Sequence, residues 1–174
     1  MTGYDLTMPD DWADRHVARW RDHWIGIDFD DDVEAIVVRM GRLKNHFRTS
    51  TAAVLAEVGL QDHEYDTLHL LMIRDTPGHA TPSALAADLE ISNAGMSGRL
   101  ESMERAGWVQ RTVSVDDRRR VDIEVTTAGA AIWRAATAKR GEEERRVVGV
   151  LSPAERAQLA ALLKKLTLSV EDPA

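Results

Sequence analysis

Residues 116–120 place two aspartates directly before three arginines. Two carboxylates cannot neutralise three guanidiniums, so positive charge remains at this point of the chain. Guanidinium groups form strong paired hydrogen bonds with phosphate oxygens. Arg118, Arg119 and Arg120 are therefore candidates for phosphate contacts. A solvated charged turn would show the same run of residues, and the segments on either side must decide between the two.

Apolar and polar residues alternate on both sides of this charged run, over residues 108–113 and 121–126. Such alternation is typical of half-buried strands, so the pattern predicts a β-ribbon with a basic tip. Thr81 is expected to add a short third strand beside the ribbon.

Two short helices are predicted just before the ribbon. Pro82 suits the first position of the first helix, where its missing N–H is not needed. Ser92 is a good N-cap for a second helix that runs from about 93 to 106 and stops at Gly107. The second helix turns Met96, Leu100 and Met103 inward and Asn93, Ser97 and Arg99 outward.

Small polar groups near a helix N-terminus, followed by an arginine, suit contacts with DNA bases and phosphates. The helices alone would equally fit any helical hairpin with a polar outer face. The basic ribbon that follows them favours DNA, because one helix can enter the major groove while the arginines hold neighbouring phosphates. The candidate DNA-binding residues are Ser92, Asn93, Ser97, Arg99, Arg118, Arg119 and Arg120.

The order of these features resembles the winged helix-turn-helix of the MarR family of bacterial regulators. The resemblance extends from about residue 32 to residue 170. It implies a mainly α fold with a small β wing (α+β), double-stranded DNA as partner, and a homodimeric, ligand-responsive transcription factor, usually a repressor. The matching segments are Ser92-Asn93, Arg99-Leu100, Ala106-Gly107-Trp108-Val109, Asp116-Asp117-Arg118-Arg119 and Thr126-Thr127-Ala128-Gly129.

Further helices are predicted on both sides of this region. An extra amphipathic helix is expected over 12–24, followed by an acidic linker and a long helix over 32–57 that ends at Gly59. Asp62 or His63 is expected to cap the next helix, and Thr127 a helix that runs to about Val148. The long helix is expected to turn inward its apolar residues Val33, Ile36, Val37, Met40, Leu43, Phe47 and Leu55.

A capping box at 152–155 predicts a last helix with Leu159, Leu162, Leu163 and Leu166 on one stripe. The winged core does not need the apolar faces of the first and last helices. Such faces would pair across a two-fold axis and place two recognition helices one DNA turn apart, about 34–36 Å. The expected organisation is an N-terminal extension over 1–31, dimerisation helices over 32–60 and 127–174, and a DNA-binding domain over 61–126.

The extra N-terminal helix resembles the urate-responsive, PecS-like branch of the family. That resemblance implies a site for a small aromatic anion, such as urate or a phenolate. Trp20 would form an aromatic wall, Arg74 would bind the negative charge, and Asp66 would be displaced by it. Arg99 matches the recognition-helix arginine of the same set, whereas the usual spacing would put Ile73 where Arg74 stands. Without a ligand role, Trp20 would be dimer core, Asp66 a cap or ion pair, and Arg74 a solvated helix end.

The net charge of −7 is unusual for a DNA-binding protein, but the charge is unevenly distributed. Residues 1–34 hold ten acids and three arginines, whereas residues 35–174 hold nineteen acids and nineteen bases. Screening confines the effect of a charge to about 8–10 Å at ordinary salt concentrations. The acidic N-terminal segment therefore does not argue against a DNA-binding surface elsewhere.

Composition excludes several other functions. The 174 residues contain no cysteine, which excludes disulfides, thiol redox sensing and cysteine-ligated metal. Apolar runs are too short to span a membrane and no signal peptide is recognised, so a cytoplasmic location is expected. The acids between Asp28 and Glu34 favour helix capping over a metal-binding enzyme site, and His63, His69 and His79 lack zinc-ligand spacing. No catalytic residue, metal or cofactor is expected.

Overall fold

The computed structural model describes residues 8–23, 27, 30–113 and 121–171. The described chain is mainly helical, with one small antiparallel sheet. None of its helices is both long and apolar enough to span a membrane. Its helices are α1 (Trp12–Trp20), α2 (Asp31–Val58), α3 (Asp62–Ile73), α4 (Pro82–Asp88), α5 (Asn93–Arg105), α6 (Thr127–Val148) and α7 (Pro153–Glu171). Its strands are β1 (His79–Ala80), β2 (Val109–Val113) and β3 (Val121–Val125).

The chain divides into two compact units, residues 1–49 and 50–174, and the boundary lies within α2. In the first unit, α1 is shorter than predicted, because a 3-10 turn replaces its last part over Arg21–His23 and Trp24 lies outside the described residues. The expected capping role of the acidic linker is confirmed at Asp30, whose carboxylate accepts hydrogen bonds from the N–H groups of Asp32 and Val33 at 2.9 and 3.1 Å. Asp28 of that linker is outside the described residues.

The prediction that the apolar stripe of α2 points inward is wrong for most of its residues. Within this unit, α1 buries Ala13 and Val17, while α2 buries Ala35. From α1, His16 forms a hydrogen bond with Glu34 of α2 at 3.1 Å, and Asp14 forms an ion pair with Arg39 of α2 at 2.5 Å. This contact uses a different side of α2 from the predicted stripe. Leu55 is buried and Phe47 half-buried, but five stripe residues are between 43% and 57% exposed: Val33, Ile36, Val37, Met40 and Leu43.

The second unit contains the main hydrophobic core, built where α3, α4, α5 and the sheet meet. The predicted inward side of α5 is confirmed, since Met96, Leu100 and Met103 are at most 1% exposed. Burying a side chain of this size stabilises the fold by about 1.5–3 kcal/mol. Met72 is half-buried on α3. Other buried core residues are Leu55, Leu60, Tyr65, Leu68, Leu71, Leu85, Ala86, Val109, Ile123 and Ala136.

The three strands form an antiparallel sheet in the order β1-β3-β2. The register pairs Val109 with Val125 at one end of the ribbon and Val113 with Val121 at the other. The predicted third strand exists but is displaced by one residue. It is His79–Ala80, whereas Thr81 caps α4 by accepting a hydrogen bond from the Ala84 N–H at 3.2 Å.

Two predicted caps also lie earlier in the chain than expected. Gln61 caps α3 in place of Asp62 or His63, and its N–H donates to the Glu64 carboxylate at 3.0 Å. Thr126 caps α6 in place of Thr127, and its Oγ1 accepts from the Gly129 N–H at 3.0 Å. In both cases the helix begins where the preceding segment leaves extended backbone, and the cap is the last extended residue.

Helix α7 begins with the predicted capping box. The Ser152 N–H donates to Glu155 at 2.7 Å, and the Glu155 N–H donates to Ser152 Oγ at 3.3 Å. No residue of this helix is buried. The predicted leucine stripe is therefore present but uncovered by the described chain, with exposures of 40% to 55% for Leu159, Leu162, Leu163 and Leu166.

Gly129 gives a direct test of this fold. A Cβ atom there would lie 2.0 Å from the carbonyl oxygen of Trp108, and the backbone cannot move aside freely. We expect Gly129→Ala to lower the free energy of unfolding by about 3 kcal/mol, because the clash forces apart α6 and the start of the ribbon.

Urea denaturation of the purified protein measures this loss. Gly98→Ala is the matched control, since nothing lies within 4 Å of its added Cβ and alanine favours a helix by about 1 kcal/mol over glycine. Equal stability of Gly129→Ala and the wild-type protein would contradict the close approach.

Candidate nucleic-acid interface

Helices α4 and α5 form the predicted helix-turn-helix. The turn between them contains Glu90 in the left-handed region, with φ of 53°. Its N–H and that of Ile91 donate to the carbonyls of Ala87 and Ala86, at 3.1 and 3.0 Å. These hydrogen bonds end α4 in a short turn, and α5 begins directly after it at Asn93. Left-handed backbone costs a non-glycine residue about 1–2 kcal/mol, so the surrounding helix packing must hold this turn in place.

The N-terminal turn of α5 presents a polar, positively polarised surface. Ser92 caps it as predicted, accepting from the Gly95 N–H at 3.1 Å. Ser92, Asn93 and Ser97 are exposed, and the first turn carries no acidic residue. The N-terminus of a helix has a partial positive charge that favours anions. This end of α5 can therefore approach phosphate or polar base edges.

The Arg99 side chain does not project freely into solvent. It is half-buried, and its Nη1 donates to the His63 carbonyl and to Thr67 Oγ1, both at 3.1 Å. Both acceptors belong to α3. An arginine has five N–H donors, so these bonds do not exhaust its donor capacity. Arg99 thus ties α5 to the first two turns of α3.

Two acidic residues near this surface, Glu104 of α5 and Glu124 of the ribbon, have basic or amide partners. Glu104 pairs with Arg111 at 3.4 Å. Glu124 accepts from Gln110 at 2.9 Å and lies 3.4 Å from His79. These contacts reduce the local negative charge that would repel a nucleic acid. The basic tip itself, with Arg118, Arg119 and Arg120, lies outside the described residues.

The residues predicted to bind an aromatic anion occupy separate positions. Trp20 belongs to the first unit and meets the ring of His23 edge-on at 5.3 Å. Asp66 is exposed on α3. Arg74 follows the C-terminus of α3 and forms an ion pair with Asp88 of α4. Asp66 is not among the residues that line the surface cleft around Arg74, so any shared site stays a prediction.

The histidines considered as metal ligands serve other contacts. His69 stacks on Tyr65 at 5.5 Å and accepts from the Trp133 indole N–H at 3.3 Å. His63 offers its carbonyl to Arg99. Within residues 8–23, 30–113 and 121–171, no group of three or more histidines or carboxylates is arranged to hold a metal ion.

Sequence reasoning did not identify Thr67 or the His63 carbonyl as part of this site. Thr67 is fully buried, and Arg99 lies 32 residues further along the chain. A pattern along one helix cannot show which residue on another helix will meet it. The only available signal was a threonine next to Leu68 in the sequence of α3.

Comparisons with known proteins agree with this geometry. Residues 58–120 match the model of the MarR family. The HTH-type transcriptional regulator PecS of Dickeya dadantii (strain 3937) is 29% identical over 150 residues, which cover 86% of this chain and 89% of PecS. The HTH-type transcriptional repressor Rv2887 of Mycobacterium tuberculosis (strain ATCC 25618 / H37Rv) is 26% identical over 82% of this chain and 98% of its own length.

A solved structure extends the comparison to a DNA complex. The MepR–DNA complex of S. aureus superposes with a TM-score of 0.60 at 28% identity. The match covers 74% of this chain and 96% of the MepR chain. The fold is therefore a MarR-like winged helix, as predicted, and the two relatives are HTH-type transcriptional regulators.

Replacing Arg99 tests the interface. We expect Arg99→Ala to weaken binding to a specific DNA site about tenfold, because it removes a positive charge from α5 and the hydrogen bonds that hold α5 to α3. Mobility shift titration gives the affinity. Arg105→Ala is the control, since Arg105 is in the last turn of α5 and donates to the Glu101 carbonyl of its own helix. Equal loss in both variants would show that Arg99 has no special role.

Proposed function

We propose that this chain, whose residues 58–120 match the MarR family, is a homodimeric transcriptional repressor. It binds a palindromic operator and leaves it when a small aromatic anion binds. The observation that carries the DNA-binding part is the orientation of α5. Its apolar side is completely buried, so its polar N-terminal half must face outward.

Direct DNA contacts are assigned to two elements. Ser92, Asn93, Ser97 and Arg99 of α5 would enter the major groove. Arg118, Arg119 and Arg120 belong to the sequence that joins β2 to β3 beyond the Val113–Val121 pair. Their guanidiniums would bind phosphates beside the groove. This arrangement supports base contacts that specify the site and phosphate contacts that position the protein.

The homodimer is proposed from the uncovered apolar residues on α2 and α7. Each helix presents a stripe of large side chains that its own unit leaves exposed. Contiguous exposed apolar surface of this kind marks an interaction site in soluble proteins. A second copy of the chain carries the same stripes, and a two-fold axis pairs identical surfaces. Residues 32–60 and 127–174 are therefore proposed as the dimerisation helices.

The aromatic anion is proposed from the resemblance to the urate-responsive branch and from Arg99. Asp66 immediately precedes Thr67, which is bonded to Arg99. A ligand that displaced Asp66 would disturb the same turn of α3 and so the position of α5. Arg74 would have to leave its ion pair with Asp88 to bind the anion. Ligand binding would then shift the population toward a form with lower DNA affinity.

A second candidate is a DNA-binding regulator with a different signal. The contact that favours it is the Arg74–Asp88 ion pair, which already satisfies the guanidinium that the anion would need. Under this alternative the DNA contacts stay as proposed. Urate and phenolates would leave the protein–operator complex unchanged in a mobility shift titration.

The basic tip gives the test of DNA binding. We expect replacement of Arg118, Arg119 and Arg120 by alanine to weaken binding to all DNA sequences about equally. Each lost phosphate contact should lower the slope of log affinity against log salt by about one. Filter binding or mobility shifts over a series of salt concentrations would measure that slope.

Arg134→Ala is the matched control, because Arg134 is an exposed arginine on α6. It should leave the salt slope unchanged. A triple tip variant with the affinity and salt slope of the wild-type protein would refute the assignment of these arginines.

A further inference from the structure

The face of α5 that points away from the core carries a glutamate. Helix positions three and four residues apart share a face. The buried methionines and leucine of α5 occupy one face of the helix. Ala94, Gly98 and Glu101 follow the same spacing on the other side, and all three are exposed. The Glu101 carboxylate is therefore directed away from the rest of the second unit.

The two glutamates of α5 have different surroundings. The carboxylate of Glu104 accepts a hydrogen bond from the Arg111 N–H at 3.3 Å and lies 3.4 Å from the Arg111 guanidinium. Glu101 forms no ion pair with any residue that the structure describes. Arg105, one turn further along, donates to the backbone carbonyl of Glu101 at 3.4 Å. Glu101 thus presents hydrogen-bond acceptors that the described chain does not use.

The small residues ahead of Glu101 let another molecule come close to α5. A Cβ atom added at Gly98 would meet nothing within 4 Å. Glu101 lies eight residues after Asn93, which is about 12 Å along the helix axis at 1.5 Å per residue. The major groove of DNA is about 12 Å wide. A helix that enters the groove with its N-terminal half therefore still has Glu101 within reach of the bases.

The chemistry of a carboxylate restricts which base it can contact. An ionised carboxylate only accepts hydrogen bonds, so a phosphate or another acceptor repels it. In the major groove, guanine presents the acceptors N7 and O6, and thymine presents the acceptor O4. Adenine has an amino donor at N6, but its acceptor N7 lies beside that donor. Cytosine presents the N4 amino group alone, which makes it the best partner for a glutamate.

We propose that Glu101 reads a cytosine in each half of the DNA site by accepting a hydrogen bond from its N4 amino group. The inference rests on the proposed function, in which α5 enters the major groove, and it adds a specific base to that function. In a two-fold symmetric dimer the same C·G pair recurs in both half-sites. Guanine in place of the cytosine would set its O6 and N7 against the carboxylate and would be rejected.

Selection of binding sites from randomised double-stranded DNA, followed by sequencing, tests the proposal. The full-length wild-type protein should select a symmetric motif with one fixed C·G pair in each half. Glu101→Gln should reduce the preference for cytosine at that pair about tenfold and favour adenine, because a glutamine amide can pair with both N6 and N7 of adenine. The other positions of the motif should stay the same.

Glu104→Gln is the matched control. It makes the same chemical change on the same helix, but at a carboxylate that contacts Arg111 of the ribbon. This variant should select the base that the wild-type protein selects at the C·G pair.

The possible outcomes separate this proposal from the proposed function. If the wild-type protein and Glu101→Gln select the same motif, the role of Glu101 is refuted and DNA binding stands. If Glu101→Gln binds all sequences more tightly without a change in base preference, Glu101 faces phosphates and the proposal is again wrong. If the wild-type protein selects no motif, the proposed function fails and this inference fails with it.

Discussion

The carbonyl group of Trp108 holds together the helices and strands that meet at the base of the ribbon in the second unit. It accepts a hydrogen bond from the N–H of Thr126 at 3.0 Å and lies 3.2 Å from the Thr126 hydroxyl, whose single proton it shares with the Gly107 carbonyl. The same hydroxyl donates to the Gly107 carbonyl at 2.6 Å. Gly129 lies against this carbonyl so closely that no side chain fits. The end of α5, the start of β2, the end of β3 and the start of α6 are thereby joined at one place.

This junction explains how a short polar helix can be held in one orientation. Gly107 turns the chain in the left-handed region, with φ of 76°, and leads α5 directly into β2. The buried face of α5 sets its rotation, and Arg99 fixes it to α3. A helix held at its end, along one face and at a side chain has little freedom to rotate. Base contacts need such precision, since a small displacement breaks paired hydrogen bonds.

The same contacts suggest how a signal would travel under the proposed function. The His63 carbonyl and Thr67 lie on either side of Asp66 on α3, and both accept from Arg99. A change in the backbone of this turn would alter the acceptors of Arg99 without touching the core.

The acidic residues of the N-terminal region cap a helix and form ion pairs within the first unit. Asp30 caps α2, and Asp11 and Asp14 hold Arg39. Arg21 forms an ion pair with Asp31. Most of these groups are partly exposed, so each pair stabilises the fold by only about 0–1 kcal/mol. Their main effect is to set where α1 lies on α2.

Periodicity and capping residues were sufficient to predict the winged core, because these are local properties. The inner face of α5 and the caps at Ser92 and Ser152 depend on residues within one helical turn. The caps at Gln61 and Thr126 were each predicted too late in the chain, since the end of the preceding segment decides which residue is last in extended backbone.

Contacts that join distant segments could not be predicted in this way. The bond from Arg99 to Thr67 and the Trp12–Arg42 contact depend on how separate helices pack. The α2 stripe was predicted inward because an apolar face usually is buried. Its exposure here follows from the different side of α2 that α1 covers. Periodicity identifies an apolar face, but it does not show which segment or partner covers that face.

A hydroxyl-radical footprint of the protein on DNA from beside its own gene tests the central claim most directly. Two winged helices in a symmetric dimer should protect two patches on one face of the duplex, one helical turn or about 34–36 Å apart. The pattern should be symmetric about the centre of a palindrome. A single protected patch, or protection without two-fold symmetry, would contradict the account of a dimer that reads DNA with paired α5 helices.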